Sequence, residues 1–323
     1  MTHAWFLPLA GAVASALGAY LSLCWRLRTE CPSPGRQQAY LLGLFLPVLI
    51  GCLLSWHLLE DLYLGGEHGL PLVGWQVLQS PPAWWLIWTV GLTAAGCAEY
   101  ALRHQRLGQR LESCACDDAQ ARRTQLWADA LARQAAGRGL RVRRLLTRRP
   151  VAVLVGWYRP VLFLSSWYFN TLTEGELRTV LAHELAHARR RDNLVAAIGR
   201  GLLWGAYWLP TSRYCWERLL EEREAVADEW AAALTGAPLQ LASALVKVAE
   251  AQTGSVPLPA STLEGSTGIE RRVERLIAMH RRSAVECPRV RPGASVWIGA
   301  ALVTFLLTDT LPHLLDVLLA GGG

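Results

Sequence analysis

Residues 173–192 read TEGELRTVLAHELAHARRRD. Leu177, Val180, Leu181 and Leu185 recur at the spacing of one helix face. Thr173, with Glu176 three residues on, carries the signature in which each side chain closes the other's backbone N–H at a helix start. The stretch is therefore expected to form one helix. Within it stands His183-Glu184-Leu185-Ala186-His187. Residues four apart share a helix face, so the two imidazoles can grip one metal ion together. Glu184 then falls where a carboxylate can take a proton from water at that ion. A helix with two surface histidines would show the same five residues, so the motif alone leaves that alternative open.

A second run bears on the choice. Glu221-Glu222-Arg223-Glu224-Ala225-Val226-Ala227-Asp228-Glu229 also reads as helical. Alone it is a charged helix face. Beside the histidine pair, Glu224 becomes the expected third ligand. Asp228, one turn later, is the expected carboxylate behind a ligand histidine, where it fixes the tautomer and raises the basicity of the ring. Two histidines and one glutamate leave a fourth zinc position open, the arrangement of a catalytic rather than a structural site. A single catalytic zinc is thus expected, with Glu184 as the acid–base group of peptide-bond hydrolysis. Tyr207 and Tyr214 are candidate donors to the oxyanion, and nothing in the sequence selects between them.

Composition sets the surroundings. The chain has 323 residues, 52% hydrophobic and only 18% charged. Disorder is excluded by that apolar content. Soluble proteins carry about 25% charged residues, so part of the apolar surface is expected to face lipid. Four stretches are long and apolar enough to span a bilayer: about 4–25, 39–59, 83–102 and 294–315. Tryptophans gather near their ends, among them Trp5, Trp25, Trp56, Trp84, Trp85 and Trp297. The first stretch has no Lys or Arg before it and Arg26 and Arg28 after it, the reverse of a cleaved signal, so it reads as a retained anchor.

The net charge of +6 rests almost wholly on arginine, since Lys247 is the one lysine. Arg26, Arg28 and Arg36 follow the first stretch. Arg103, Arg106 and Arg110 follow the third, and Arg281, Arg282, Arg289 and Arg291 precede the fourth. The loop at about 60–82 has Glu60, Asp61 and Glu67 and no Lys or Arg. Basic loops stay cytoplasmic. This predicts an outer amino terminus, a membrane region over 1–102, a cytoplasmic catalytic domain over 103–293, and a last span with a short outer tail over 294–323. Glu99 and Asp309 are expected at the membrane interfaces. The apolar segment 193–209 reads equally as a re-entrant helix or a buried core helix. Cys114 and Cys116, beside Asp117 and Asp118, lack the second pair of a metal clip and read as a solvated loop.

The run GWYRPVLFLS at 156–165, the helix at 173–192 and EEREAVADEW at 221–230 together resemble the BlaR/MecR-type membrane metallopeptidases. The matching positions are Gly156, Pro160, His183, Glu184, His187, Asp192, Glu224 and Asp228. The likeness is strongest over about 145–235, and the predicted topology agrees with it over nearly the whole chain. It implies a mainly α integral membrane protein whose cytoplasmic domain is an α+β gluzincin-like metallopeptidase. Segments 151–155 and 161–165 would be strands of a small sheet, with one edge free to take a substrate as an added strand. It also implies a protein or peptide substrate, a transcriptional repressor among the candidates, with a separate sensor protein as a possible partner in a bacterial inner membrane. The sensors of this group continue into an external domain with an S-x-x-K nucleophile. Ala244 stands three residues before the one lysine, so no S-x-x-K is present, and direct antibiotic sensing is not expected.

Two other readings keep their place beside regulatory proteolysis. HtpX-like and CAAX-type proteases share H-E-x-x-H and E-x-x-A-D, which points to quality control or processing. A non-catalytic membrane scaffold is the alternative from another class. Nucleic-acid binding is not expected, because the arginines flank spans or scatter over helices and no reading module is visible.

Overall fold

The computed structural model describes residues 81–135, 139–207, 210–253 and 263–281, with isolated positions between 37 and 48. The expected spans at 4–25 and 294–315, and nearly all of 39–59, lie outside the described residues. The third falls on helix α1 (Pro81–Ser113). No helix among the described residues is long and apolar enough to cross a membrane. In α1 the apolar run is broken by Thr89, Gly91, Thr93 and Gly96 and ends at Glu99. The segment expected at 83–102 is helical throughout.

The chain divides into two compact units, Met1–Ala98 with Gly199–Leu219 and Pro288–Gly323, and Glu99–Ile198 with Leu220–Cys287. In the first unit the end of helix α5 (Asp192–Gly205) lies against α1 at backbone distance. A Cβ added at Gly201 would collide with Cys97 Sγ, and one at Gly205 with Thr93 Oγ1. Helix α5 is 14 residues long, about 21 Å at 1.5 Å per residue, which is short of a bilayer core. It buries Leu202. The described part of 193–209 is helical to Gly205 and packs against α1.

The second unit is built on a four-stranded sheet ordered β1 (Ala115–Cys116), β2 (Arg141–Leu145), β4 (Val161–Ser165), β3 (Ala152–Val155). Strands β2 and β4 run parallel, with Val142 opposite Leu162; β3 runs antiparallel to β4, with Val153 opposite Phe163. Strands read at 151–155 and 161–165 are both present. Residues 114–118 are not the solvated loop read from sequence: Ala115 pairs with Leu145 at the sheet edge, and Asp118 accepts from Ala121 N–H to cap α2 (Ala119–Gln134). At the β3–β4 turn Gly156 has φ 108°, and a Cβ there would sit 2.7 Å from Arg159 O, so the turn demands glycine.

Helix α4 (Glu174–Arg190) follows the short α3 (Ser166–Thr171) and packs on one sheet face. Leu162 and Leu164, two apart on β4, meet Leu177, Leu181 and Leu185 of α4 and Ala128 and Ala132 of α2. Full burial of each such leucine contributes roughly 1.5–3 kcal/mol. Helices α6 (Pro210–Thr235), α7 (Pro238–Thr253) and α8 (Leu263–Arg281) complete the fold. A second cluster joins Ala231 of α6, Leu241 and Ala242 of α7 and Leu276 of α8.

The capping box at the start of α4 is complete, and it does more than close the helix. Glu176, buried, accepts from Thr173 N–H at 2.8 Å, from Ser243 Oγ at 2.6 Å and from Lys247 Nζ at 2.8 Å, which ties α4 to α7. Burial alone would raise its pKa, but these three donors hold it below the ordinary 4.5. Its stabilising contribution is then complete above the unfolded value and is lost as pH falls through the depressed folded one. We expect Glu176→Gln to cost about 1–2 kcal/mol at pH 7, a charge-assisted network discounted for the partial exposure of Lys247. In denaturant titrations the gap between the two proteins should close as the pH drops below 4.5.

Candidate metal centre

Helix α4 sets His183 and His187 one turn apart, with their Nε2 atoms 3.0 Å from each other. The helix ends at Arg191, which adopts the left-handed region at φ 53°. That reversal turns Asp192 back under the helix it has just left, where Oδ2 lies 2.5 Å from His187 Nδ1. From the other side α6 delivers Glu224 and Asp228, again one turn apart. Asp228 Oδ1 lies 2.9 Å from His183 Nδ1, at ion-pair distance though off the line of a hydrogen bond. The two Glu224 carboxylate oxygens stand 3.5 Å from the His183 and His187 Nε2 atoms respectively.

Each imidazole thus presents Nδ1 to a carboxylate, which places the ring proton on that side and leaves an Nε2 lone pair for the centre. Two such lone pairs aimed at one point repel unless a cation lies between them. His183, His187 and Glu224 could hold a metal ion, with ligand atoms all within 4.8 Å of one another. The residues present therefore fit a metal. The electrostatics agree. Burial alone would lower the His183 pKa, yet Asp228 and Glu224 outweigh it and raise it to about 10, so the site draws positive charge, which a metal ion would supply in place of the ring's extra proton. Burial would likewise raise Glu224, Asp192 and Asp228, but the imidazoles and neighbouring guanidiniums hold all three below the usual carboxylate range. The Arg223 Nη2 donates to Asp192 O at 2.7 Å, which fixes the aspartate from behind.

His183, His187, Asp192, Arg223 and Glu224 line a cleft of about 290 Å³ together with Glu184 and the edge strand β3. A larger hollow of about 500 Å³ along α8, lined by Glu274, Ile277, Ala278 and Arg281, holds no ligating cluster. Ser165 N–H donates to Val151 O at 2.9 Å. Alternation along the antiparallel ladder then directs the backbone groups of Ala152 and Leu154 away from β4, towards the open edge. Asn193 Nδ2 donates to Leu154 O at 3.1 Å and to Gly156 O at 3.2 Å, which anchors the far end of that edge. On the sheet side of α4, burial first and the Glu184 charge second push the Tyr168 phenol well above its usual value.

The family model described as BlaR1 peptidase M56 matches residues 75–276. The chain belongs to the M56 peptidase family. No curated protein matches it. The match contains every residue of the cluster, so the H-E-x-x-H and the Glu224 helix of this M56 peptidase lie in the part that defines the family. A peptidase of this family implies a metal, which agrees with the donor set.

Of the residues read from sequence, His183, Glu184, His187, Glu224 and Asp228 share this one cleft or its wall. Tyr207 and Tyr214 are not among them. Tyr207 is an exposed residue of the turn after α5, and the Tyr214 ring on α6 lies under the Arg218 guanidinium at 5.3 Å. Both belong to the first unit of the M56 peptidase. Asp192, a matching position of the family resemblance, sits behind His187. Sequence reading missed Asn193, Arg223 and Arg272.

Proposed function

We propose that this M56 peptidase is a membrane-anchored zinc endopeptidase acting in regulatory proteolysis. The observation that carries the reading is the convergence of His183, His187 and Glu224 on one point, with Glu184 in the same cleft. These three residues would hold the zinc, since two imidazoles and a carboxylate are the donor set of catalytic zinc sites. Bound zinc supplies Lewis acidity, which acidifies water and polarises the scissile carbonyl. Glu184 is the group placed to take a proton from the attacking water and return it to the departing amine. Asp192 and Asp228 keep both imidazoles in the ligating tautomer. The outward backbone groups of Ala152 and Leu154 suit a substrate bound as an added strand, so the substrate would be an extended segment of a protein or peptide. A transcriptional repressor fits that description, and a separate protein would supply the trigger.

The membrane setting is part of the proposal. It is supported by the apolar stretches at 4–25, 39–59 and 294–315, by the arginines beside them, and by the exposed Trp84, Ile87, Trp88 and Val90 of α1. The arginines that flank the catalytic domain on both sides, Arg103, Arg106 and Arg110 before it and Arg281, Arg282, Arg289 and Arg291 after it, favour its place on the cytoplasmic side of a bacterial inner membrane.

Metal removal tests the core of this reading. The full chain in detergent micelles should cleave unstructured polypeptide, lose that activity to background when zinc is chelated, and regain it when zinc is returned. Cleavage indifferent to chelation would sink the assignment. Extraction of the chain from cells by alkaline carbonate without detergent would overturn the membrane part.

A further inference from the structure

We infer that Arg272 is a positioning residue of the metal centre: its single guanidinium fixes both Glu224 and Asp228 and so makes α8 part of the site. Helix α8 docks through Leu276, one turn beyond Arg272 and fully buried among Ala231, Leu241 and Ala242. That docking aims the arginine at the carboxylates of α6. Nε donates to Asp228 Oδ2 at 2.7 Å and Nη2 to Asp228 Oδ1 at 2.8 Å, a two-pronged contact. The third nitrogen, Nη1, lies 3.0 Å from Glu224 Oε2. Those same carboxylates face opposite nitrogens of one imidazole. Asp228 Oδ1 stands by His183 Nδ1 and Glu224 Oε2 by His183 Nε2. One cation therefore sets the positions of the third ligand and of the group that orients the first.

Arginine suits this task on chemical grounds. Asp228 is 4% exposed, and an ionised carboxylate that deep is costly unless paired and hydrogen-bonded. A planar fork of donors, charged at every accessible pH, serves two carboxylates at once, which a point-like ammonium cannot do. Without the guanidinium, Asp228 would lose the two donors that fix its plane and turn away from His183 Nδ1, which leaves the ring free to rotate. Glu224 would lose the contact that restrains its rotation. The expected result is a weaker grip on the ion, beyond any loss of fold.

This inference rests on the proposed zinc site, and the test separates the two. Zinc affinity of the full chain in micelles would be measured by competition with a chromophoric chelator, and the fold of the ion-free protein by circular dichroism and melting. Substitutions behind the ligands weaken metal binding by about 10- to 100-fold, and R272A should fall in that range while still folded. R272K should lose less, since it restores charge without the fork; it carries the test if R272A fails to fold. R271A removes a neighbouring guanidinium whose partner is the exposed Glu221 at 3.5 Å, and it should keep wild-type affinity. Wild-type affinity in folded R272A or R272K, or an equal loss in R271A, overturns the role of Arg272. A wild-type chain that takes up no zinc overturns the metal site and this inference together.

Discussion

Glu184→Gln is expected to leave the protein folded and loaded with metal but to slow peptide cleavage by about 10²- to 10⁴-fold, the range that positioned acid–base groups contribute. The side chain lines the cleft on the same helix as both histidines, yet it is not one of the three groups whose ligand atoms converge. Glutamine keeps the volume and removes only the ability to hold and pass a proton. Metal content, melting behaviour and substrate affinity should match the wild type while turnover collapses. The loss corresponds to roughly 3–5.5 kcal/mol of transition-state stabilisation, since each tenfold change is about 1.4 kcal/mol. Wild-type turnover in the variant would remove Glu184 from the chemistry. Loss of metal along with turnover would make it a ligand instead.

Glu224→Ala should act on the other half of the mechanism. Its oxygens are the acceptors that face both Nε2 atoms, at 3.5 Å each. Changes one layer behind a ligand already weaken binding by about 10- to 100-fold, so removing a ligand should cost more than about 100-fold in zinc affinity. The substitution also leaves the Arg272 Nη1 without the Glu224 oxygen it faces and takes one negative charge from beside the ion. Cleavage should fail because the ion is lost, and excess zinc should recover part of it. Such recovery is not expected for Glu184→Gln, so the two variants separate ion binding from proton transfer. A Glu224→Ala protein with wild-type zinc affinity would break the three-ligand set.

What the sequence disclosed here follows how local each feature is. The helix bearing the histidines was legible because its cap, its apolar stripe and its spacing all lie within one contiguous run, from Thr173 to Asp192. The β3–β4 hairpin was expected only through the family resemblance, whose matching positions Gly156 and Pro160 fall at its turn. Glu224 and Asp228 could be read because a four-residue step on a second helix matched the step on the first. Arg272 could not. It sits in a run with Arg271 and Arg275, and only the packing of Leu276 decides which of these cations points inwards. Strand β2 was equally hidden, since RVRRL carries its ladder under arginines. The apolar run at 83–102 announced a helix correctly but said little about its surroundings, because small residues that let helices touch also lower its hydropathy.

The left-handed residue Arg191 divides the centre into a prefabricated half and an imported one. His187 receives its orienting carboxylate from five residues away along the chain, so that pair is complete as soon as one helix and one turn have formed. His183 waits for partners carried by α6, themselves latched from α8. An opening of those two helices would leave a two-histidine remnant with one ring still tethered and one adrift. In the proposed zinc site, retention of the ion would gauge whether that layer is closed, since its opening removes the Glu224 ligand while the histidine helix stays intact.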